Sequence, residues 1–222
     1  MARESKDQKK VRVNRVISIL QELYPNAKTA LNHNNAFELL IATILSAQCT
    51  DERVNKVTPA LFQAAPNPQT MVAIGENRVR KLIASINFFN NKARNIILCC
   101  ESLLNDFGGE VPSRLEDLIK LAGVGRKTAN VVLGDAFGKP EGVVVDTHVF
   151  RLSHRLRLAG GSTAEKVENE LNELVTPTHW TLISHLLILH GRARCRARTP
   201  DCQSCEIIKH CPTGSRLAKA EL

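Results

Sequence analysis

Apolar residues recur at helical spacing along almost the whole chain, and that period leaves little room for any architecture other than an all-α one. The first stripe is Val13, Val16, Ile17, Leu20 and Leu23, and the second is Phe37, Leu40, Ile41, Ile44 and Leu45. Val54, Val57 and Leu61 follow, then Ala93, Ile96, Ile97, Cys100, Leu103 and Leu104, and then Trp180, Ile183 and Leu187. Turn signals punctuate them at Tyr24-Pro25-Asn26, Pro66-Asn67-Pro68, Phe107-Gly108-Gly109 and Gly160-Gly161-Ser162. Ser113 with Glu116, and Ser162 with Glu165, each fit a capping box. The only strand-like run, Val143-Val144-Val145, is too short to found a sheet.

A chain of 222 residues with 43% hydrophobic residues has enough apolar surface for a real core. Its formal net charge of +8 favours an anionic partner such as nucleic acid or an acidic membrane surface. The segment from Met1 to Val13 is polar and mixed in charge, without the apolar stretch of a secretory signal. No uninterrupted apolar run approaches the roughly 18 residues a membrane-spanning helix needs. Seven cysteines in a chain without an export signal argue for reduced thiols and metal ligation, and hence for the cytoplasm.

Four of those cysteines, Cys195, Cys202, Cys205 and Cys211, are spaced C-x6-C-x2-C-x5-C. Thiolates are soft ligands suited to zinc or to iron–sulfur clusters, and four in one short loop can close around a single metal centre. Arg192, Arg194, Arg196 and Arg198 alternate through the first ligand and into the gap that follows, which reads as a basic loop suited to an anionic partner. Cys49, Cys99 and Cys100 lie on helical segments, where packing is the default role.

The stretch from Leu115 to Phe137 reads as helix, tight turn, helix. Leu115, Leu118 and Ile119 pack on one side, Gly123-Val124-Gly125 turns, and Ala129, Val132, Leu133 and Ala136 pack on the other. Such a turn is an ordinary αα-hairpin, or else it brings backbone amides and a helix N-terminus close to a phosphate. Lys127 stands in the first turn of the second helix, where the dipole disfavours a cation, so it either contacts phosphate or supplies a neutral amine as nucleophile. Asp146 precedes a helical stretch and is first of all an N-cap candidate. Gln48 prolongs an apolar stripe by one polar residue, marking a helix end or facing a cleft. Phe88, in the polar turn Asn87-Phe88-Phe89-Asn90, is a satellite core residue or a wedge between base pairs.

Taken together, Leu121-Ala122-Gly123-Val124-Gly125-Arg126-Lys127-Thr128-Ala129, Val145-Asp146-Thr147-His148-Val149, Leu45-Ser46-Ala47-Gln48-Cys49-Thr50-Asp51 and the four-cysteine loop resemble bacterial endonuclease III, over about Val13 to Cys211. The resemblance implies a helix-hairpin-helix DNA glycosylase fold with two all-α lobes and a DNA cleft between them. One lobe would span 29–139; 1–28 with 140–222 would form the second, which carries the cluster loop. It implies a bifunctional glycosylase and AP lyase that removes oxidised pyrimidines from double-stranded DNA and cleaves abasic sites by β-elimination. Lys127 would be the nucleophile and Asp146 its carboxylate partner. Gly123, Gly125 and Arg126 would hold the DNA backbone, while Gln48, Phe88 and His148 would fill the gap and contact the orphaned base. Cys195, Cys202, Cys205 and Cys211 would bind a [4Fe-4S] cluster. A monomer in the bacterial cytoplasm, associated with the nucleoid, is the implied setting. Ala122 stands where the family usually has Pro, and Asn87-Phe88 where it usually has Gly-Leu. Two alternatives remain: a monofunctional adenine-type glycosylase, disfavoured by Lys127, and a non-enzymatic DNA-binding protein with a structural zinc knot.

Overall fold

The computed structural model describes residues 4–220. Its α-helices, in chain order, are α1 (Lys6–Leu23), α2 (Ala36–Ser46), α3 (Asp51–Ala64), α4 (Pro68–Leu82), α5 (Phe89–Phe107), α6 (Leu115–Leu118), α7 (Arg126–Phe137), α8 (Thr147–Arg155), α9 (Ala164–Leu174), α10 (Trp180–Ala193) and α11 (Pro212–Ala220). No strand occurs among the described residues, so the all-α expectation holds. The valine run forms no strand, and side chains take two of its amides: Val143 N–H donates to Asn172 Oδ1 at 2.9 Å and Val144 N–H to Ser184 Oγ at 3.0 Å. No described helix is long and apolar enough to cross a membrane.

Most helices start where a short polar side chain can accept from their first free amides. Ser5, Asn35, Thr50, Asn67, Asp146 and Thr163 do this for α1, α2, α3, α4, α8 and α9. Neither capping box expected from the sequence forms. Thr163, one residue beyond Ser162, caps α9 through Lys166 N–H. Arg114, without a side-chain cap, precedes α6, and its guanidinium pairs with Glu116, the carboxylate that the box needed. The first helix of the expected hairpin is accordingly a single turn, and Ile119 is half exposed instead of packed.

The chain divides into two compact units. Thr29–Glu141 holds α2 to α7 around α2, which packs on α3, α5 and α7. Phe37 through Leu45 are all buried, so this helix is apolar on nearly every side, as a central helix must be. Leu61, Met71, Ile83, Ile96 and Leu103 close around it, each fully buried side chain contributing about 1.5–3 kcal/mol by leaving water. Cys99 and Cys100 belong to this core; burial pushes both thiols up, Cys99 to about 12, which keeps them unreactive.

The other unit joins the residues up to Lys28 to those from Gly142 onward. Val13, Val16 and Leu20 of α1 meet Val149 and Leu152 of α8, Leu171 of α9 and Ile183 and Leu187 of α10 in one core. Leu23, at the end of the α1 stripe, is left exposed. Arg12 fastens α1 to the C-terminal chain by donating to Leu156 O at 2.8 Å and His210 O at 3.0 Å. Its guanidinium also pairs with Glu4 and holds that carboxyl below its usual range.

Candidate functional site

The hairpin keeps its turn although its first helix is short. Val124 N–H donates to Leu121 O at 3.1 Å, and Gly123 takes φ +79°, in the left-handed region where a side chain is strained. A Cβ at Gly123 would also lie 3.1 Å from Asn95 Cβ on α5, so the fold itself explains this glycine. Gly125 differs: its φ is −91°, and a Cβ there would meet nothing within 4 Å. It is the N-cap of α7, which no side chain caps. Gly123, Gly125, Arg126 and Lys127 are all exposed, so the positive end of α7, an arginine and a lysine face solvent together.

Asp146, in the other unit, is half-buried and caps α8. Its Oδ1 accepts from His148 N–H and Val149 N–H, both at 2.8 Å. His148 Nδ1 lies 3.1 Å from Arg151 Nη2, and because guanidinium only donates, Nδ1 accepts and the neutral ring carries its proton on Nε2. Burial holds His148 below its usual value, reinforced by Arg151 and Arg192 and opposed by Asp146. Gly191 of α10 leaves room for this pair, since a Cβ there would fall 2.9 Å from His148 Nδ1 and 3.0 Å from Arg151 Nη2.

Gln48 and Phe88 lie in the unit built around α2. Both are exposed and both are non-glycine residues in the left-handed region, at φ 53° and 57°. Phe88 is 62% exposed, which overturns the reading of it as a satellite core residue. An open hollow of about 460 Å³ is lined by Gln48, Cys49, Thr50, Arg53 and Asn87.

Cys195, Cys202, Cys205 and Cys211 line one cavity of about 20 Å³ with Leu152, Leu156, Ile207 and Ile208. Polar hydrogens reach two of the sulfurs, from Arg155 Nη1 at 3.2 Å to Cys195 Sγ and from Gly214 N at 3.2 Å to Cys211 Sγ, and His190 Nε2 lies 3.4 Å from Cys205 Sγ. Such donors stabilise ligating thiolates. Gly214 is also needed for close approach, because a Cβ there would come 3.3 Å from Cys211 Sγ. The donor set and its apolar walls therefore fit a soft metal centre. His190, Cys205 and Glu206 additionally bring ligand atoms within 4.8 Å of one another.

The arginines of this loop are used differently from the alternation expected. Arg194 turns inward and pairs with Asp201 at 2.9 Å and Glu206 at 3.2 Å, while Arg196 and Arg198 are exposed. The loop is gripped from α8: Arg155 donates to Arg196 O and Ala197 O at 2.7 Å, and Arg151 to Cys195 O at 3.0 Å. Arg151 and Arg155 were not singled out in the sequence. Their signal was weak, two arginines four apart on an otherwise amphipathic helix.

Residues 41–177 match the model of the HhH-GPD superfamily base excision DNA repair protein. Endonuclease III of Synechocystis sp. is 48% identical over 92% of this chain and 94% of its own length, and that of Escherichia coli K12 is 46% identical over 88% and 92%. Among solved structures, a trapped endonuclease III–DNA covalent intermediate with an estranged adenine superposes with a TM-score of 0.87 at 40% identity, covering 94% of this chain and 98% of that one. A non-covalent endonuclease III–DNA complex superposes equally well. On the motifs, the all-helical fold and these likenesses together, the chain belongs to the endonuclease III family of HhH-GPD base excision DNA repair proteins.

Proposed function

We infer that the chain is a bifunctional DNA glycosylase and AP lyase of base excision repair, in which Lys127 is the nucleophile and Asp146 its carboxylate partner. The observation that carries this is Lys127, an exposed residue in the first turn of α7, beside the Gly123-Val124-Gly125 turn, in a family with a member trapped as a covalent DNA intermediate. An oxidised pyrimidine in double-stranded DNA is turned out of the stack. The neutral Lys127 amine attacks the sugar C1′, the glycosidic bond breaks, and the base leaves with its bonding electrons and takes up a proton. Opening of the sugar ring leaves an imine between C1′ and Nζ. Loss of a C2′ proton then expels the 3′ phosphate by β-elimination and severs the strand. The Asp146 carboxylate stabilises the positive charge that develops on sugar and amine and assists proton transfer from the lysine.

Gly123, Gly125 and Arg126 hold the phosphate backbone, for which an exposed positive helix end is suited. Gln48, Phe88 and His148 occupy the space of the displaced nucleotide and contact the base left behind. Cys195, Cys202, Cys205 and Cys211 hold a [4Fe-4S] cluster, which supplies a rigid cross-link of the loop from Cys195 to Cys211. Arg155 and Gly214 offer hydrogen bonds to its thiolates. The enzyme acts as a monomer in the bacterial cytoplasm, on DNA of the nucleoid.

The test is covalent trapping. Borohydride added during reaction with DNA carrying thymine glycol or an abasic site is expected to reduce the imine to a stable cross-link, and Lys127→Ala to abolish it. Undiminished trapping in that variant would overturn the assignment. The donor set His190, Cys205 and Glu206 would also accept zinc. Metal analysis with a visible absorption spectrum decides between the two, and zinc without iron would refute the cluster.

A further inference from the structure

Two neighbouring turns of the unit built around α2 share a feature that local sequence disfavours. Gln48 follows the end of α2, Phe88 precedes α5, and both adopt left-handed backbone without being glycine. Such a conformation persists where the surroundings over-determine it. Here the surroundings are a set of bonds from one turn to the other. Lys92 is only 6% exposed, and its Nζ donates to Leu45 O at 2.8 Å and to Ala47 O at 2.6 Å. Asn87 Nδ2 donates to the carbonyl of Gln48 itself at 2.8 Å. The Lys92 amide in turn donates to Phe88 O at 3.1 Å.

Lys92 is placed against the preference of its own helix, since a cation in the first turn of α5 opposes the helix dipole. The same charge lies at the C-terminus of α2, where a cation is favoured and where carbonyls lack helical partners. Burial lowers the Lys92 pKa, so the charged form depends on these two carbonyls for compensation. Two other carbonyls near the end of α2 are met locally, Thr43 O by Ser46 Oγ at 2.9 Å and Ser46 O by Cys49 N–H at 3.0 Å. Lys92 thus closes the end of α2 and fixes the residue before Gln48, while Asn87 fixes Gln48 directly.

We propose that Asn87 and Lys92 are positioning residues that brace the Gln48 and Phe88 turns into one two-pronged element, and that this bracing sets the preference among bases opposite the excised one. The proposal rests on Gln48 and Phe88 entering the duplex. A glutamine amide offers an NH2 group that donates and a carbonyl oxygen that accepts, and it distinguishes bases only if its backbone holds it in one place. A loose prong finds a partner on any base, so releasing the brace flattens the preference.

The experiment measures single-turnover excision of thymine glycol opposite each of the four bases, with kcat and KM determined separately, and incision of an abasic site in duplex and in single-stranded DNA. Asn87→Ala removes an exposed side chain and its one bond to Gln48. It is expected to reduce the ratio between best and worst opposite base about threefold or more, to raise KM more than it lowers kcat, and to lower duplex relative to single-strand incision. Lys92→Met should act in the same direction and more strongly, but the outcome is decided on Asn87→Ala alone if Lys92→Met fails to fold. If Asn87→Ala keeps the parent's opposite-base ratios while Gln48→Ala changes them, the bracing is refuted and the role of Gln48 survives. If Gln48→Ala also leaves them unchanged, the reading of Gln48 as a duplex contact falls, and the proposal with it. A parent enzyme with no opposite-base preference overturns the proposal as well.

Discussion

Asp146 carries two separable tasks, and two substitutions divide them. Its Oδ1 accepts both amides at the start of α8, at 2.8 Å each, which is an N-cap; its negative charge is what the proposed chemistry uses. Asparagine caps about as well as aspartate, so Asp146→Asn should change stability by no more than about 0.5 kcal/mol. Alanine offers no acceptor, and Asp146→Ala should cost about 1 kcal/mol and up to about 2. For a chain of this size each kcal/mol moves the melting temperature by about 2–4 °C, so Asp146→Ala should melt about 2–8 °C lower and Asp146→Asn within about 2 °C of the parent. Both variants lose the charge, and loss of one electrostatic stabiliser of the transition state lowers the rate about 10²–10³-fold. Single-turnover excision of thymine glycol and thermal unfolding by circular dichroism read the two tasks independently. An Asn variant excising within about threefold of the parent would reduce Asp146 to a helix cap. An Asn variant melting as low as the Ala variant would contradict the capping argument.

Gly123→Ala forces a side chain onto φ +79° and against Asn95, and should lower stability by about 1–2 kcal/mol and weaken duplex binding; an unchanged melting temperature and Kd would exclude the turn geometry as the reason for glycine. Arg155→Met removes donors to Cys195 Sγ and to the carbonyls of Arg196 and Ala197, so purified protein should hold less iron and lose it faster to a chelator; iron content equal to the parent's would show that α8 does not brace the loop. His148 titrates below 6.5 in the folded chain, chiefly because it is buried, whereas the unfolded chain takes up its proton near 6.5. Its contribution is therefore complete above about pH 6.5 and is lost as the pH falls from there toward the folded pKa. His148→Gln should flatten that acid-side fall in melting temperature, and an identical slope in the variant would assign it to other groups.

The helical architecture was legible because burial demands a period. Stripes such as Val13, Val16, Ile17 and Leu20 can reach a common core only as helices, and those residues are buried as the spacing predicts. Helix starts were less legible, because a cap depends on which side chain is free to accept. Thr163 and Ser162 are chemically interchangeable at the sequence level, and only the course of the backbone chose between them. Glu116 was claimed by Arg114, a competitor that a spacing rule does not see.

Residue type and order along the chain were sufficient for the family and for its chemistry. A lysine after a glycine turn, an aspartate before a helix and four closely spaced thiols each carry their reactivity in their own atoms. What holds such residues in place was decided by tertiary structure. Lys92 lies on the buried face of α5 with Ile96, Cys99 and Leu103 but was not singled out in the sequence, and its partners Leu45 and Ala47 lie more than 40 residues away. Asn87 is an ordinary turn residue until its amide is found on the Gln48 carbonyl. Arg155, Arg151 and Arg194 are three arginines in sequence; in space, two grip the cysteine loop from α8 and one is neutralised within it. A sequence states which charges and hydrogen-bonding groups a chain possesses, whereas their partners, and so the conformations they enforce, follow from contacts between distant segments that no local period encodes.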